Sequence, residues 1–337
     1  MSHTQIGWRA LRTDDGPAWV ELVGAIESVD HFGETFDTAE FDEIMAEPDF
    51  DPERDGLAAL GPGDQMIAYG WAMGTESAGA EGYQIELGGG VHPDFRRLGI
   101  GRELLARTER RAAEIHRARH PGRPGHGEVR LLDVQTDRIA LCERAGYEAV
   151  RYWFDMDHRL DQPLDEAPAD PVLPDGLQLV PYGPALNEAV RRARNQSFAG
   201  HWGSVERSSE AWNRLYTGSR HFRGDLSFCV LAGKTVAAFA LSQVYPEDFE
   251  AVGWSEAWLG QLGTVDGWRG RGLASALIQR VLVAYRDAGL DRAALTVDAA
   301  NPTGALALYE RHGFGVRQQA VTYRKSFPAD PEPPRDA

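Results

Sequence analysis

Apolar residues recur every three or four positions in "ASALIQRVLVAYRDAG" (274–289), the spacing of a helix that buries one face, with a glycine at its end as a stop. Directly before it, "EAWLGQLGTV" (256–265) reads as a strand. Upstream, "LQLVPY" predicts a strand, "ALNEAVRRARNQSFA" a helix, and "LSFCVLAG" with "KTVAAFALSQVY" two strands joined by a short turn. Downstream come a strand in "RAALTVDA", a short helix in "TGALALYERHG" (303–313) closed by Gly313, and a last strand in "RQQAVTYRKS". The order defines a mixed α/β unit of roughly 150 residues, an ordinary domain size.

The first half repeats this order. "FRRLGIGRELL" (95–105) aligns residue for residue with "WRGRGLASALI" (268–278), so that Arg96 pairs with Arg269 at an offset of 173. Further on, "LCERAGYE" (141–148) aligns with "LYERHGFG" (308–315) at an offset of 167. The difference has its source in "RARHPGRPGHGEVR" (117–130), which reads as a surface-loop insertion. The pattern predicts domains at 1–157 and 176–327, a proline- and acid-rich linker at 158–175, and a disordered tail at 328–337. The fold class is α/β with a mixed sheet, used twice in tandem.

Bulk numbers narrow the chemistry. A chain of 337 residues exceeds one ordinary domain of roughly 100–200 residues. Its 42% hydrophobic and 26% charged content is that of a soluble globular protein. No apolar run reaches the ~18–20 residues of a membrane span, and the N-terminus lacks the pattern of a secretory signal, so a cytoplasmic protein is expected. Cys142 and Cys229 are too few for a disulfide framework or a cysteine metal site. A net charge of −16 argues against nucleic acid, which needs a basic stripe. Any anionic ligand must therefore meet a local cluster.

Such a cluster stands at 268–277, "WRGRGLASAL", where a strand, a glycine turn with two arginines and a helix start follow one another. Helix-start amides, the positive end of the macrodipole and close backbone approach at glycine suit a pyrophosphate. By itself the stretch reads equally well as a tight turn with solvated arginines. The second copy, and the paired helices of the form L-[YC]-E-R-x-G-[YF], favour the phosphate cradle.

Arg-x-x-Gly-x-Gly/Ala after a strand, followed by "NPTGALALYERHGF", resembles the signature of the GCN5-related N-acetyltransferase (GNAT) superfamily, and the likeness covers both halves. The tandem arrangement is similar to that of mycothiol synthase and related two-domain actinobacterial acetyltransferases. The resemblance implies that Arg269, Gly270, Arg271, Gly272, Leu273 and Ala274 bind the acetyl-CoA pyrophosphate through main-chain amides. It implies that Leu262, Gly263 and Thr264 pair with the pantetheine and polarise the thioester, and that Asn301 contacts the cofactor arm. Tyr309 matches the general acid, a phenol that stays neutral at pH 7 yet can protonate a departing thiolate. Relatives often place a basic carboxylate six residues before position 264, which here is Trp258; Glu256, two residues further back on the same side of the strand, is the candidate base. A water chain, or loss of the amine proton in solution, is the alternative.

The halves differ. Arg96, Arg97, Gly99 and Gly101 keep the loop, and Gly89, Gly90 and Val91 stand where Leu262, Gly263 and Thr264 stand later, so cofactor binding is expected in both halves. Cys142 replaces the tyrosine, a substitution that reads as core packing, and the first half has no asparagine. Chemistry is thus expected in the second half. His201 and Trp202 in "FAGHWG" are candidates for the acceptor site, and "SVDHFGETFD" (28–37) falls at a similar place in the first half. The reading is an acetyl-CoA-dependent N-acetyltransferase acting on a primary amine of a small molecule, without a metal, membrane or nucleic-acid partner; a homodimer is compatible with it. The alternatives are mycothiol synthase, whose amine belongs to a cysteinyl pseudo-disaccharide, and a non-catalytic acyl-CoA-binding module.

Overall fold

A computed structural model describes residues 6–79, 81–161, 172–301 and 303–327. These form two compact units, one reaching Val150 and adding the segment from Val321, the other spanning Arg151–Ala320. In the first unit, β1 (Gly7–Ala10) precedes α1 (Gly16–Asp30), α2 (Thr38–Met45) and α3 (Pro52–Asp55). β2 (Gly56–Leu60), β3 (Met66–Gly74), β4 (Tyr83–Val91), α4 (Ile100–Arg119), β5 (Gly125–Leu132) and α5 (Thr136–Arg144) follow. The second unit begins within β6 (Glu148–Arg159) and continues through β7 (Leu177–Pro181), α6 (Asn187–Phe198), α7 (Ser209–Trp212), β8 (Phe228–Ala232) and β9 (Thr235–Gln243). Then come α8 (Phe249–Val252), β10 (Glu256–Thr264), α9 (Leu273–Asp287), β11 (Arg292–Asp298) and α10 (Ala305–Arg311). β12 (Gly315–Phe327) runs from the second unit into the first.

In each unit helices cover both faces of the strands. On α9, Leu273, Leu277, Ile278, Val281, Leu282 and Tyr285 all face inward, against Ala257 and Leu259 of β10 and Leu295 of β11. The other face of the second unit's strands meets α6, where Val190 and Ala193 pack on Phe239 and Leu241 of β9. In the first unit, Tyr83, Ile85 and Leu87 of β4 pack with Ala112 and Ile115 of α4, while Trp19, Leu22, Val23 and Ile26 of α1 cover the opposite side. Burying each of the larger apolar side chains among these contributes about 1.5–3 kcal/mol. The helical period of three to four in the sequence is therefore the imprint of these two cores.

One parallel strand pair in each unit positions the site. β4 pairs with β5 only from Tyr83↔Gly125 to Glu86↔Glu128, and β10 with β11 only from Glu256↔Arg292 to Trp258↔Ala294. Beyond those points the strands diverge, and the later residues of β4 and β10 keep ladder bonds only on their antiparallel side, to β3 and β9. The helices α4 and α9 are the crossovers that parallel strands require, and both start where the strands have parted.

Two features differ from the sequence pattern. The terminal strands trade units: β6, from the first repeat, pairs antiparallel with β11 from Arg292↔Arg159 to Asp298↔Trp153. Val321, Tyr323 and Phe327 of β12, from the second repeat, lie in the core of the first unit. The boundaries at 157 and 176 follow the repeat in sequence, whereas residues 151–157 and 321–327 belong to the opposite units; two like halves offer equivalent strand slots, and the period does not say which strand fills which. His158 and Arg159 of the expected linker are the end of β6, and 162–171, together with the tail at 328–337, fall outside the described residues.

The second difference is a β-bulge. The β10–β9 register slips between Leu259↔Ser242 and Gln261↔Leu241, which leaves Gly260 as the extra residue. Even-number counting places Glu256, Trp258, Leu262 and Thr264 on one face. With the bulge, Ala257 and Leu259 share the α9 side with Leu262, and Glu256 and Trp258 turn to the other. Among the described residues no helix is long and apolar enough to cross a membrane.

Candidate functional site

In the second unit the loop from Val265 to Gly272 joins the divergent end of β10 to α9. Gly270 and Gly272 have φ of +73° and +77°, a left-handed conformation costly for any residue with a Cβ, and Gly272 caps the helix. The first intrahelical bond runs from Ala276 N to Gly272 O, so the amides before it point out of the helix start. Arg269, though exposed, bonds back onto the protein. Its Nε donates to Thr264 O at 3.2 Å and its Nη2 to Ser197 O at 3.0 Å, which ties the loop to β10 and to α6. Arg271 lies over the Trp268 ring at 4.8 Å.

Gly263 is needed for space. A Cβ there would stand 2.5 Å from Phe239 Cζ and 2.7 Å from Ser197 Oγ, so β10 can pass this close to β9 and α6 only without a side chain. Leu262 packs on the core that contains Leu273 and Tyr309.

Tyr309, on α10, is 9% exposed, with its ring against Phe314 at 6.0 Å. Burial pushes its phenol up to about 12, so the hydroxyl is protonated throughout the physiological range. The next turn of the chain is fixed by a hydrogen bond between His312 Nε2 and Ser275 Oγ, 2.9 Å, which holds the end of α10 to the first turn of α9. Asn301 uses its Oδ1 locally, accepting from Thr303 N and Oγ1, and so shapes the turn between β11 and α10.

Glu256 occupies a different environment from the one expected of a base. Its carboxylate accepts from both Nη1 and Nη2 of Arg317, at 2.6 and 3.0 Å, and from Trp254 Nε1 at 2.8 Å. It is 4% exposed, at the start of β10 rather than at the divergent end, and the bulge turns it from the face that Leu262 shares. The reason is positional: Arg317 comes from β12 and stacks over Trp258, so the pair closes the strand start.

His201 and Trp202 follow α6 as expected. The His201 ring packs on Phe198 at 4.6 Å, and burial, aided by the nearby Arg269, lowers its pKa and keeps it neutral. Trp202 meets Trp153 edge-on at 5.8 Å and lies under Arg151, which is ion-paired with Asp298 at the end of β11. Arg151 and Trp153 come from β6, out of the first repeat, and the repeat pattern could not assign them to this site.

The first unit repeats the loop mechanics. Arg96 Nε donates to Val91 O at 3.2 Å, and its two Nη groups hold both oxygens of Asp30 at 2.7 Å. Gly99 caps α4 with φ +87°, and Arg97 takes the left-handed conformation that Gly270 has in the second unit. Gly101 packs close to Leu141 and Val91, and Gly89 and Gly90 admit no Cβ without contact under 3 Å with Tyr69 O or Ile26. A cleft of about 830 Å³ is lined by Gly88–Val91, the loop at 96–99, and Thr136, Arg138 and Cys142 of α5. Cys142 is 3% exposed within the core, and burial raises its thiol to about 11. Arg138 was not legible as a site residue, though the repeat offered a signal: it stands where the second copy has Ala305.

Divergent parallel strands and outward amides at a glycine-capped helix, present in both units, with a buried phenol on the next helix of the second, define an acyl-CoA-dependent acetyltransferase fold. Residues 187–314 match the acetyltransferase (GNAT) family, and the chain belongs to it. It is 30% identical to the mycothiol acetyltransferase of Salinispora arenicola over 77% of this chain and 78% of that protein. With the enzyme of the same name from Salinispora tropica it shares 32% identity over 72% and 73%. A GCN5-related N-acetyltransferase from Sphaerobacter thermophilus has the same fold over 95% of both chains, at a TM-score of 0.73 and 25% identity. A tandem GNAT protein of the clavulanic acid pathway matches over 98% of this chain and all of that one, at 0.70 and 15%. The chain is thus an N-acetyltransferase of the tandem type.

Proposed function

We propose that this enzyme transfers acetyl from acetyl-CoA to a primary amine of a small molecule, with the chemistry in the second unit. The observation that carries the reading is the phenol of Tyr309, protonated by its burial, on a helix bonded to the start of α9, at the position where the first unit has a buried thiol. Acetyl-CoA supplies the activated acyl group. The outward amides at 270–275 suit its pyrophosphate, and the Arg269 clamp holds them in place. Leu262, Gly263 and Thr264 offer a strand edge that has parted from β11 to its pantetheine arm. Tyr309 then donates its proton to the departing sulfur. With Glu256 engaged by Arg317, the amine loses its proton to water or in solution.

His201, Trp202, Arg151 and Trp153 are the proposed acceptor wall, and a cytoplasmic setting fits the reading. The shared name of the curated relatives favours a second, narrower reading, in which the acceptor is the mycothiol precursor. Incubating the protein with acetyl-CoA and a panel of amines that includes this precursor, and following free thiol, tests both. Amine-dependent release is expected; acetyl-CoA binding without release would favour a non-catalytic binding module, and release with the precursor alone would favour the narrower reading.

A further inference from the structure

The cleft of the first unit carries charge that the protein itself does not balance. Arg96 and Arg97 on its loop are matched by Asp30 and Asp137. Arg102, Arg138 and Arg144 line the same cleft with no carboxylate partner among the described residues, a local reversal of sign in a chain of net charge −16.

Arg138 is partly buried in the cleft wall. It stands on the first turn of α5, one helical turn before Cys142, and its Nη2 donates to Gly89 O at 3.0 Å. Gly89 belongs to the stretch of β4 that has already left β5, the counterpart of Leu262 in the second unit. Partial burial disfavours the charge of the guanidinium, and Asp30, the carboxylate whose field reaches it, is held through both oxygens by Arg96. A guanidinium does not give up its proton near neutral pH. Its charge suits an anion that enters the cleft, and its bond to Gly89 O sets it beside the stretch of β4 that has parted from β5. The second unit, with the methyl of Ala305 at this position, makes no such demand.

We propose that the first unit binds a CoA thioester whose acyl group ends in a carboxylate, and that Arg138 selects it over acetyl-CoA. This rests on reading the 96–101 loop as a pyrophosphate cradle. Succinyl-CoA is the probe, and hydrogen–deuterium exchange of the full chain separates the two loops, at residues 97–103 and 270–276. At 97–103, half-protection is expected at a succinyl-CoA concentration about tenfold below that of acetyl-CoA, the size of one charge-assisted hydrogen bond. Arg138→Met should bring succinyl-CoA to the acetyl-CoA level, and Arg138→Lys, which keeps the charge, should retain part of the preference. Equal half-protection by the two thioesters in the native chain, which needs no variant, would overturn the proposal, as would a preference that survives in Arg138→Met. Failure of acetyl-CoA to protect 270–276 would instead count against chemistry in the second unit.

Discussion

Replacing Gly263 by alanine tests the geometry of the second site at one atom. The added methyl would stand 2.5 Å from Phe239 Cζ, 2.6 Å from its Cε1 and 2.7 Å from Ser197 Oγ. Neither neighbour has room to move: Phe239 is fully buried, and Ser197 Oγ donates to Ala193 O at 2.8 Å within α6. Overpacking of this kind costs about 1–3 kcal/mol. For a unit of this size each kcal/mol lowers the melting temperature by about 2–4 °C, so a fall of roughly 2–12 °C is expected. The strand edge must also shift, which should raise KM for acetyl-CoA. Trimming the ring with Phe239→Leu in the same chain should restore part of both, because the two sites share one space and their effects will not add. Melting within 1 °C of the native protein, or strict additivity in the double variant, would refute the close packing of β10 against Phe239.

Other substitutions separate positioning from chemistry. Gly272→Ala meets no neighbour within 4 Å but must hold φ +77°, so it should cost about 1–2 kcal/mol and weaken acetyl-CoA binding through the tilted amides, read by calorimetry. Glu256→Gln leaves Arg317 without its ion-pair partner in a buried place; a loss of roughly 3 kcal/mol by denaturant titration, with kcat per folded molecule unchanged, is expected, and a selective loss of kcat would restore the base role. The pH profile of kcat/KM should rise as the amine deprotonates and show no descending limb from Tyr309 before about pH 12, because burial raises its pKa and keeps the donor form; a limb near 10 that vanishes in Tyr309→Phe would contradict this.

What the sequence reveals depends on how local the physics is. The helices α9 and α10 and the strand β10 are legible because the apolar period and the glycine stops record the burial of each segment against its own core. The loop chemistry is legible because two copies of it exist. Three things are not. The bulge at Gly260 leaves only a glycine in the pattern, yet it reverses the faces and separates Glu256 from Leu262. The exchange of β6 and β12 depends on which of two like slots each strand fills, so Arg151 and Trp153 join a site whose other residues lie far along the chain. Arg138 reads as one more arginine in an arginine-rich chain until its neighbours are known, because its place in the cleft and its lack of a carboxylate partner among the described residues arise only on folding.

The central claim, that acetyl transfer occurs in the second unit with Tyr309 as proton donor, is tested most directly by amine-dependent thiol release in Tyr309→Phe and Cys142→Ala. The ring of Tyr309 remains in the phenylalanine variant and its hydroxyl has no protein partner among the described residues, so the fold should persist. Turnover is expected to fall by about 10²–10⁴-fold in Tyr309→Phe, the usual contribution of a positioned acid, and to stay near native in Cys142→Ala. A cysteine variant that loses turnover while the phenylalanine variant keeps it would place the chemistry in the first unit and contradict the account.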